Sequence, residues 1–194
     1  MTIAEQLARE AKELSFDQLP AEVIHQVKRL VLDILGVGFG GYLSEPSQVM
    51  QSLVKGMSGP AESTVFGSGL KTSCLYATLA NGAMVRHLDY MHSCYLTKEA
   101  RMLLGHHGES IPPILAVGER QHTAGREIIT TIVLAYELLS KVSYSTGGNR
   151  GVLAKRGWAA ETLRTPCVMA LVSGRLLELT EAQDRKSTRL NSSH

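Results

Sequence analysis

"LPAEVIHQVKRLVLDILGVGFGGY", Leu19–Tyr42, is the stretch on which the fold turns. Gly36, Gly38 and Gly41 meet the G-x-G-x-x-G spacing of a dinucleotide-binding turn. Such a turn works between a strand and a helix, because the helix N-terminus must face the pyrophosphate. Here Val23, Val27, Leu30, Val31, Ile34 and Leu35 recur at helical spacing ahead of the glycines, and a Ser-Glu-Pro turn follows them. The stretch therefore reads as a long amphipathic helix with Pro20 suited to its first turn. Its glycines let it lie close against a neighbour, and no nucleotide site is expected.

On either side the helical spacing continues. Ile3, Leu7, Ala11 and Leu14 mark a helix over residues 2–14, broken by "SFDQLP". "PSQVMQSLVKGM" is a short helix, Thr72–Val85 another, and "SIPPILAVGERQH" and "GREIITTIVLAYELLSKVSYS" are two more around Gly125. "ETLRTPCVMALVSGRLLEL" is helical, with Pro166 either kinking it or setting a later start. "STVFG" is the single candidate strand, and "TGGNRGVLAKRGW" reads as a loop. The expectation is an all-α packed helical domain with at most one short strand.

The 194 residues suffice for one domain with a real core. With 44% hydrophobic and 20% charged residues the chain is globular, not disordered. A net charge of +2 and only 5% aromatics give nucleic acid no electrostatic footprint. Cys74, Cys94 and Cys167 lie far apart with no Cys-x-x-Cys pair, against a disulfide framework or structural zinc. "MTIAEQLAREAKEL" is a charged amphipathic helix, not a signal peptide, and no apolar run approaches the roughly 20 residues of a membrane span. A cytoplasmic protein without membrane or nucleic-acid partners is expected.

Near the end, "TEAQ" starts a further helix that Thr180 can cap. The chain then turns into "DRKSTRLNSSH", Asp184–His194, which completes no apolar face and resembles an in-frame translation of a sequencing-library adapter. We read 184–194 as a non-native tail and 1–183 as one helical domain, truncated at Gln183.

Proton-transfer chemistry concentrates in "VRHLDYMHSCYLTKEARMLLGHHGES", Val85–Ser110, between two helical segments. Asp89 and the pair His106–His107 can act as acid or base near neutral pH. Ser93 and Thr97 can hydrogen-bond a carboxylate, while Lys98 and Arg101 can pair with anionic groups. Proton abstraction beside a carboxylate needs this inventory of base, acid and cations. His87, at a helix end, reads as a cap or core residue, and His25 and His122 as surface. His92, His106, His107 and Glu109 could hold zinc by ligand type, but their spacing matches no established ligand motif, so no metal is expected.

These residues carry a resemblance. "LPAEVIHQVKRLVLDILGVGFGGY", "YATLANGAMVRHLDY", "HHGESIPPILAVGE", "GREIITTIVLAYELL" and "AKRGW" are similar, in order, to the N-terminal helical domain of the MmgE/PrpD family, which includes 2-methylcitrate dehydratase and cis-aconitate decarboxylase. The resemblance covers Ala4 to Gln183. It implies a lyase acting on small di- or tricarboxylates without metal or cofactor, usually homodimeric, with a second α/β domain from later sequence. By this resemblance Asp89 in "LDYMHS" matches the family's helix-end aspartate, orienting a partner or contacting substrate. His106 in "HHGES" matches its acid/base histidine, and Ser93 a carboxylate-binding hydroxyl. The candidate catalytic pair is thus His106 and Asp89, with Ser93, His92, His107 and Lys98 as candidate substrate contacts.

The chain departs from the family pattern at Met91 and His92, at His107 in place of proline, and at Ala159 and Ala160 where many members place a histidine. The reading that results is β-elimination of water from a hydroxy-tricarboxylate or decarboxylation of an unsaturated one. The alternatives are isomerisation or epimerisation of a similar substrate, or a helical binding protein that has lost its chemistry. The 194-residue chain alone is expected to be inactive.

Overall fold

The expected helix is continuous through its glycines: α2 runs Ala21–Gly41, with Pro20 as its N-cap. In this computed structural model residues 3–57, 59–95, 103–148, 151–159, 161–180 and 183 are described. α1, Ile3–Glu13, precedes α2, and α3, Glu45–Gly56, follows it with Pro46 in its first turn. A small antiparallel pair comes next, β1 (Ser63–Thr64) on β2 (Lys71–Thr72). α4, Cys74–His87, begins at Ser73, whose hydroxyl accepts from the Tyr76 N–H. A second antiparallel pair joins β3 (Cys94–Tyr95) to β4 (Leu103–Gly105). After a 3-10 turn at His107–Ser110 come α5 (Ile111–Arg120), α6 (Gly125–Ser145), α7 (Val152–Lys155) and α8 (Glu161–Leu176).

The all-α expectation stands, with eight α-helices among the described residues. Four short strands replace the single one expected. Runs of two or three residues are too short to show the period-2 alternation that marks a strand in sequence. For the same reason Thr72 belongs to β2 and α4 starts after it. The stretch read as a loop, "TGGNRGVLAKRGW", holds the single turn of α7. Pro166 lies inside α8, whose other residues remain helical around it. Thr180 behaves as a cap, its N–H and hydroxyl both 2.8 Å from Gln183 Oε1. The segment 184–194 lies outside the described residues.

Close approach explains the glycines of α2. A Cβ on Gly41 would sit 2.2 Å from the Met84 carbonyl oxygen, and one on Gly38 would lie 3.3 Å from the Phe66 ring and 3.4 Å from Val85. α2 therefore lies with its backbone almost on α4. α4 in turn packs against α3 and α5, and α6 against α8. Ile34, Val85, Ile111, Ile114, Ile132, Leu138, Leu171 and Val172 form the main core, while Val54, Val65, Ala80 and Met84 form a second cluster under β1 and β2. Asn81 is buried there with its needs met: it accepts from the Phe66 N–H at 2.8 Å and donates to the Thr64 carbonyl at 3.0 Å. Glu119 of α5 accepts from the Thr64 N–H at 2.7 Å and from its hydroxyl at 2.6 Å, tying the first strand pair to the helices. No helix among the described residues is long and apolar enough to cross a membrane.

Candidate functional site

The histidine-rich stretch lays the β3–β4 pair and its flanking residues against the interiors of α2 and α6 and the first turn of α8. α4 stops at His87, and Asp89 takes a left-handed backbone (φ 53°), which turns the chain out of the helix. Its N–H donates to the Arg86 carbonyl at 3.2 Å, and its carboxylate pairs with the Arg86 guanidinium. The same guanidinium reaches back, with Nε 3.3 Å from Glu109 Oε1. One cation is thus shared by two carboxylates. Burial raises the Glu109 carboxyl above the usual range, and Arg86 and His106 oppose that rise.

Past Met91, which is buried in the core, His92 and Ser93 lead into β3. Because Cys94 pairs with Gly105, the residues just outside the ladder, Ser93 and His106, come side by side. Ser93 Oγ lies 3.5 Å from His106 Nδ1, at the outer limit of hydrogen-bond length. Gly105 has φ 129°, a conformation open to glycine, as the chain leaves β4. Arg164 of α8 fixes that strand from below: its side chain is buried, Nη1 donating to the Leu104 carbonyl at 3.0 Å and Nη2 lying 3.2 Å from Glu161 Oε1.

His92 and His107 face inward. His92 places Nδ1 3.1 Å from Asp33 Oδ2 on α2 and Nε2 2.5 Å from the Tyr136 hydroxyl on α6. Its ring stacks on Tyr136 with centroids 5.8 Å apart. His107 is almost fully buried, its Nε2 3.1 Å from Ser140 Oγ and its ring edge-on to Tyr136 at 5.5 Å. Burial, with the Arg164 guanidinium and then His92 and His106 nearby, lowers the His107 pKa to about 4. Burial also pushes the Tyr136 phenol up, with Cys94 and Asp33 adding to it, so that it keeps its proton. The Cys94 thiol is raised to about 11 by burial. Gly108 admits this packing, since a Cβ there would lie 2.6 Å from Ile34 and 3.0 Å from the His92 ring.

The structure therefore brings together Ser93 and His106 on the surface of the hairpin, with Asp89, Arg86 and Glu109 beside them, and turns His92 and His107 toward α6. Lys98, Thr97 and Arg101 lie outside the described residues. His25, His87 and His122 are exposed, so His87 caps nothing in the core. Among the described residues no group of three or more His, Cys, Asp or Glu side chains could hold a metal ion, and the set His92, His106, His107 and Glu109 is not gathered as one.

The sequence reading passed over Asp33, Arg86, Tyr136 and Ser140. A signal was present for three of them. Asp33 is a lone acid in "LVLDILG", and Tyr136 and Ser140 are polar groups one turn apart in the apolar-rich stretch "IVLAYELLS".

A mostly helical domain that carries a strand pair flanked by ionisable side chains is the class of protein that fold and site define. The chain belongs to the MmgE/PrpD family: the model of the MmgE/PrpD N-terminal domain matches residues 5–187. It is similar to cis-aconitate decarboxylase of Aspergillus terreus, at 23% identity over 92% of this chain and 36% of that protein. The cis-aconitate decarboxylase of Aspergillus terreus strain NIH 2624 / FGSC A1156 is 24% identical over 88% of the chain and 34% of its own length. Homo sapiens cis-aconitate decarboxylase is 31% identical over 46% of the chain and 19% of its own length. At these shares the chain spans about a third or less of the length of the curated relatives it matches.

Proposed function

We propose that this chain supplies the helical wall of a lyase site for small di- or tricarboxylates, with His106 as the group that moves the proton. The observation that carries the reading is the pairing of His106 with Ser93 across the hairpin, next to the Arg86–Asp89–Glu109 cluster. Family membership and the similarity to cis-aconitate decarboxylases support the reaction class.

Two reactions fit one arrangement. In β-elimination a base takes the proton next to a carboxylate, the C–O bond on the neighbouring carbon breaks, and hydroxide leaves as water after protonation. In decarboxylation the bond to a carboxylate breaks, carbon dioxide leaves, and the electron pair left on carbon takes a proton. Both pass through negative charge beside a carboxylate, which nearby donors and cations stabilise. His106, half-buried and reachable, is the residue placed to give or take that proton, while the Ser93 hydroxyl donates to a substrate carboxylate. Asp89 orients this end of the site through Arg86. No cofactor enters this scheme. The family resemblance supports a homodimer, and Leu32 and Phe39 on α2, with Leu43 just past its end, are exposed apolar side chains that a partner surface could cover.

A second reading has one observation in its favour. Ala159 is exposed beside Trp158, at a position where an imidazole could have served as acid/base partner. A site without it fits isomerisation, which needs the same first proton abstraction, or a protein whose chemistry has lapsed.

The test follows the ultraviolet absorbance of a conjugated double bond with citrate- and aconitate-like substrates, using the protein expressed from its complete gene. Turnover that is lost in both Asp89→Asn and His106→Ala supports the lyase reading. A folded protein inert toward every carboxylate supports the second.

A further inference from the structure

The hairpin that presents Ser93 and His106 has a ladder of only two residues on one side and three on the other. A ladder that short is marginal in water and does not hold its own register. Its alignment comes from its anchors: Arg164 of α8 holds the Leu104 carbonyl, and both arms also reach one helix, α6. The β3 arm delivers His92 to Tyr136, and the β4 arm delivers His107 to Ser140. Tyr136 and Ser140 are one turn apart on α6 and so lie on one face. They set the separation of the two histidines. Each histidine is next in sequence to a residue of the pair in question: His92 to Ser93, and His107 to His106.

The protons follow from the partners. A carboxylate only accepts, so the Asp33 contact puts the hydrogen of His92 on Nδ1. Nε2 lies 2.5 Å from the Tyr136 hydroxyl, which can donate to it or accept from it. Both nitrogens are occupied by protein side chains. His92 is thereby fixed in place.

We propose that Tyr136 and Ser140 are positioning residues that take one histidine from each arm of the hairpin and so hold Ser93 against His106, with Asp33 locking His92 for this purpose. His92 and His107 then serve as anchors in place of the substrate contacts expected of them. The inference rests on the reading of His106 as the proton carrier, but part of its test does not.

The first arm of the test is nuclear magnetic resonance on the 194-residue chain, wild type against Tyr136→Phe and Asp33→Asn. Tyr136→Phe keeps the ring that stacks on His92 and removes only the hydroxyl. We expect the His92 nitrogen signals to change and the His106 ring signals to move with them. His106 signals unchanged in both variants overturn the proposal whatever the activity.

The second arm uses the protein expressed from its complete gene. Tyr136→Phe is expected to raise KM up to about 10-fold with little change in kcat, the direction in which Ser93→Ala itself acts. Combined with Ser93→Ala it should add nothing beyond Ser93→Ala alone, because the two act through one contact. A merely structural role would give multiplied losses, and that result overturns the proposal. Absence of any carboxylate turnover in the wild type removes the lyase reading and leaves the resonance arm to decide.

Discussion

Ser93 Oγ and His106 Nδ1 stand 3.5 Å apart although the residues are separated by 13 positions. The contact follows from strand pairing: Cys94 opposes Gly105, and the flanking residues meet as the next step of an antiparallel ladder. At this distance the contact is weak, and the hydroxyl is free to turn to a substrate carboxylate.

His106→Ala in the protein expressed from its complete gene should lower kcat by about 10²-fold or more if His106 carries the proton. Ser93→Ala should act mainly on KM, since a hydrogen bond made equally in ground and transition states affects binding alone. Steady-state kinetics with an aconitate-like substrate separates the two effects. An unchanged kcat in His106→Ala would remove the proton from His106.

Acidification should destabilise the fold through His107. Its folded pKa, about 4, lies below the value near 6.5 of an unfolded histidine, so the unfolded state binds the proton first. Stability is therefore complete above about pH 6.5, declines as pH falls through that window, and levels off below about pH 4. The full loss is on the order of 3 kcal/mol for this buried ring. Urea unfolding of the wild type and His107→Gln at a series of pH values measures it. The variant should show a visibly flatter profile, and equal slopes would place the effect elsewhere.

Gly41→Ala and Gly36→Ala should move stability in opposite directions. The alanine methyl at 41 would meet the Met84 carbonyl at 2.2 Å, an overlap that backbone must move to relieve, at about 1–3 kcal/mol. At 36 nothing lies within 4 Å, and removing a helix-interior glycine stabilises by roughly 0.5–1 kcal/mol. Thermal melting of the two variants tests this. A stabilised Gly41→Ala would mean that α2 and α4 are not in backbone contact.

Asn81→Ala should cost about 1–3 kcal/mol, because it strands the Phe66 N–H and the Thr64 carbonyl in a buried setting. The denaturation midpoint should fall, and amide exchange should speed up at Phe66 and Leu70 before it does in α6. Uniform acceleration across the chain would instead mean that β1 and β2 do not unfold as a local unit.

Much of the fold was legible because helices announce themselves locally. α6 was read with the bounds it has, since Ile128, Ile132, Ala135 and Leu139 repeat at the helical period without interruption. The glycines of α2 were legible by context, the apolar period before them ruling out the strand that a nucleotide turn needs. The four strands were not, because a two-residue ladder has no pattern of its own. In the site, Ser93 and His106 were found by chemical type and by resemblance. Their contact was found only with the pairing of β3 and β4.

The sequence by itself determined that this chain is helical, where most of its helices lie, and which loop is dense in groups able to move protons. Periodicity and residue chemistry are local properties, written in neighbours three and four positions apart. Tertiary structure alone decided which of those groups face outward and which turn in to partners on α2 and α6. His92 lies 59 positions from Asp33 and 44 from Tyr136, and His107 lies 33 from Ser140. Contacts at such separations depend on how α2 and α6 pack against each other, and no local pattern in the chain encodes that packing.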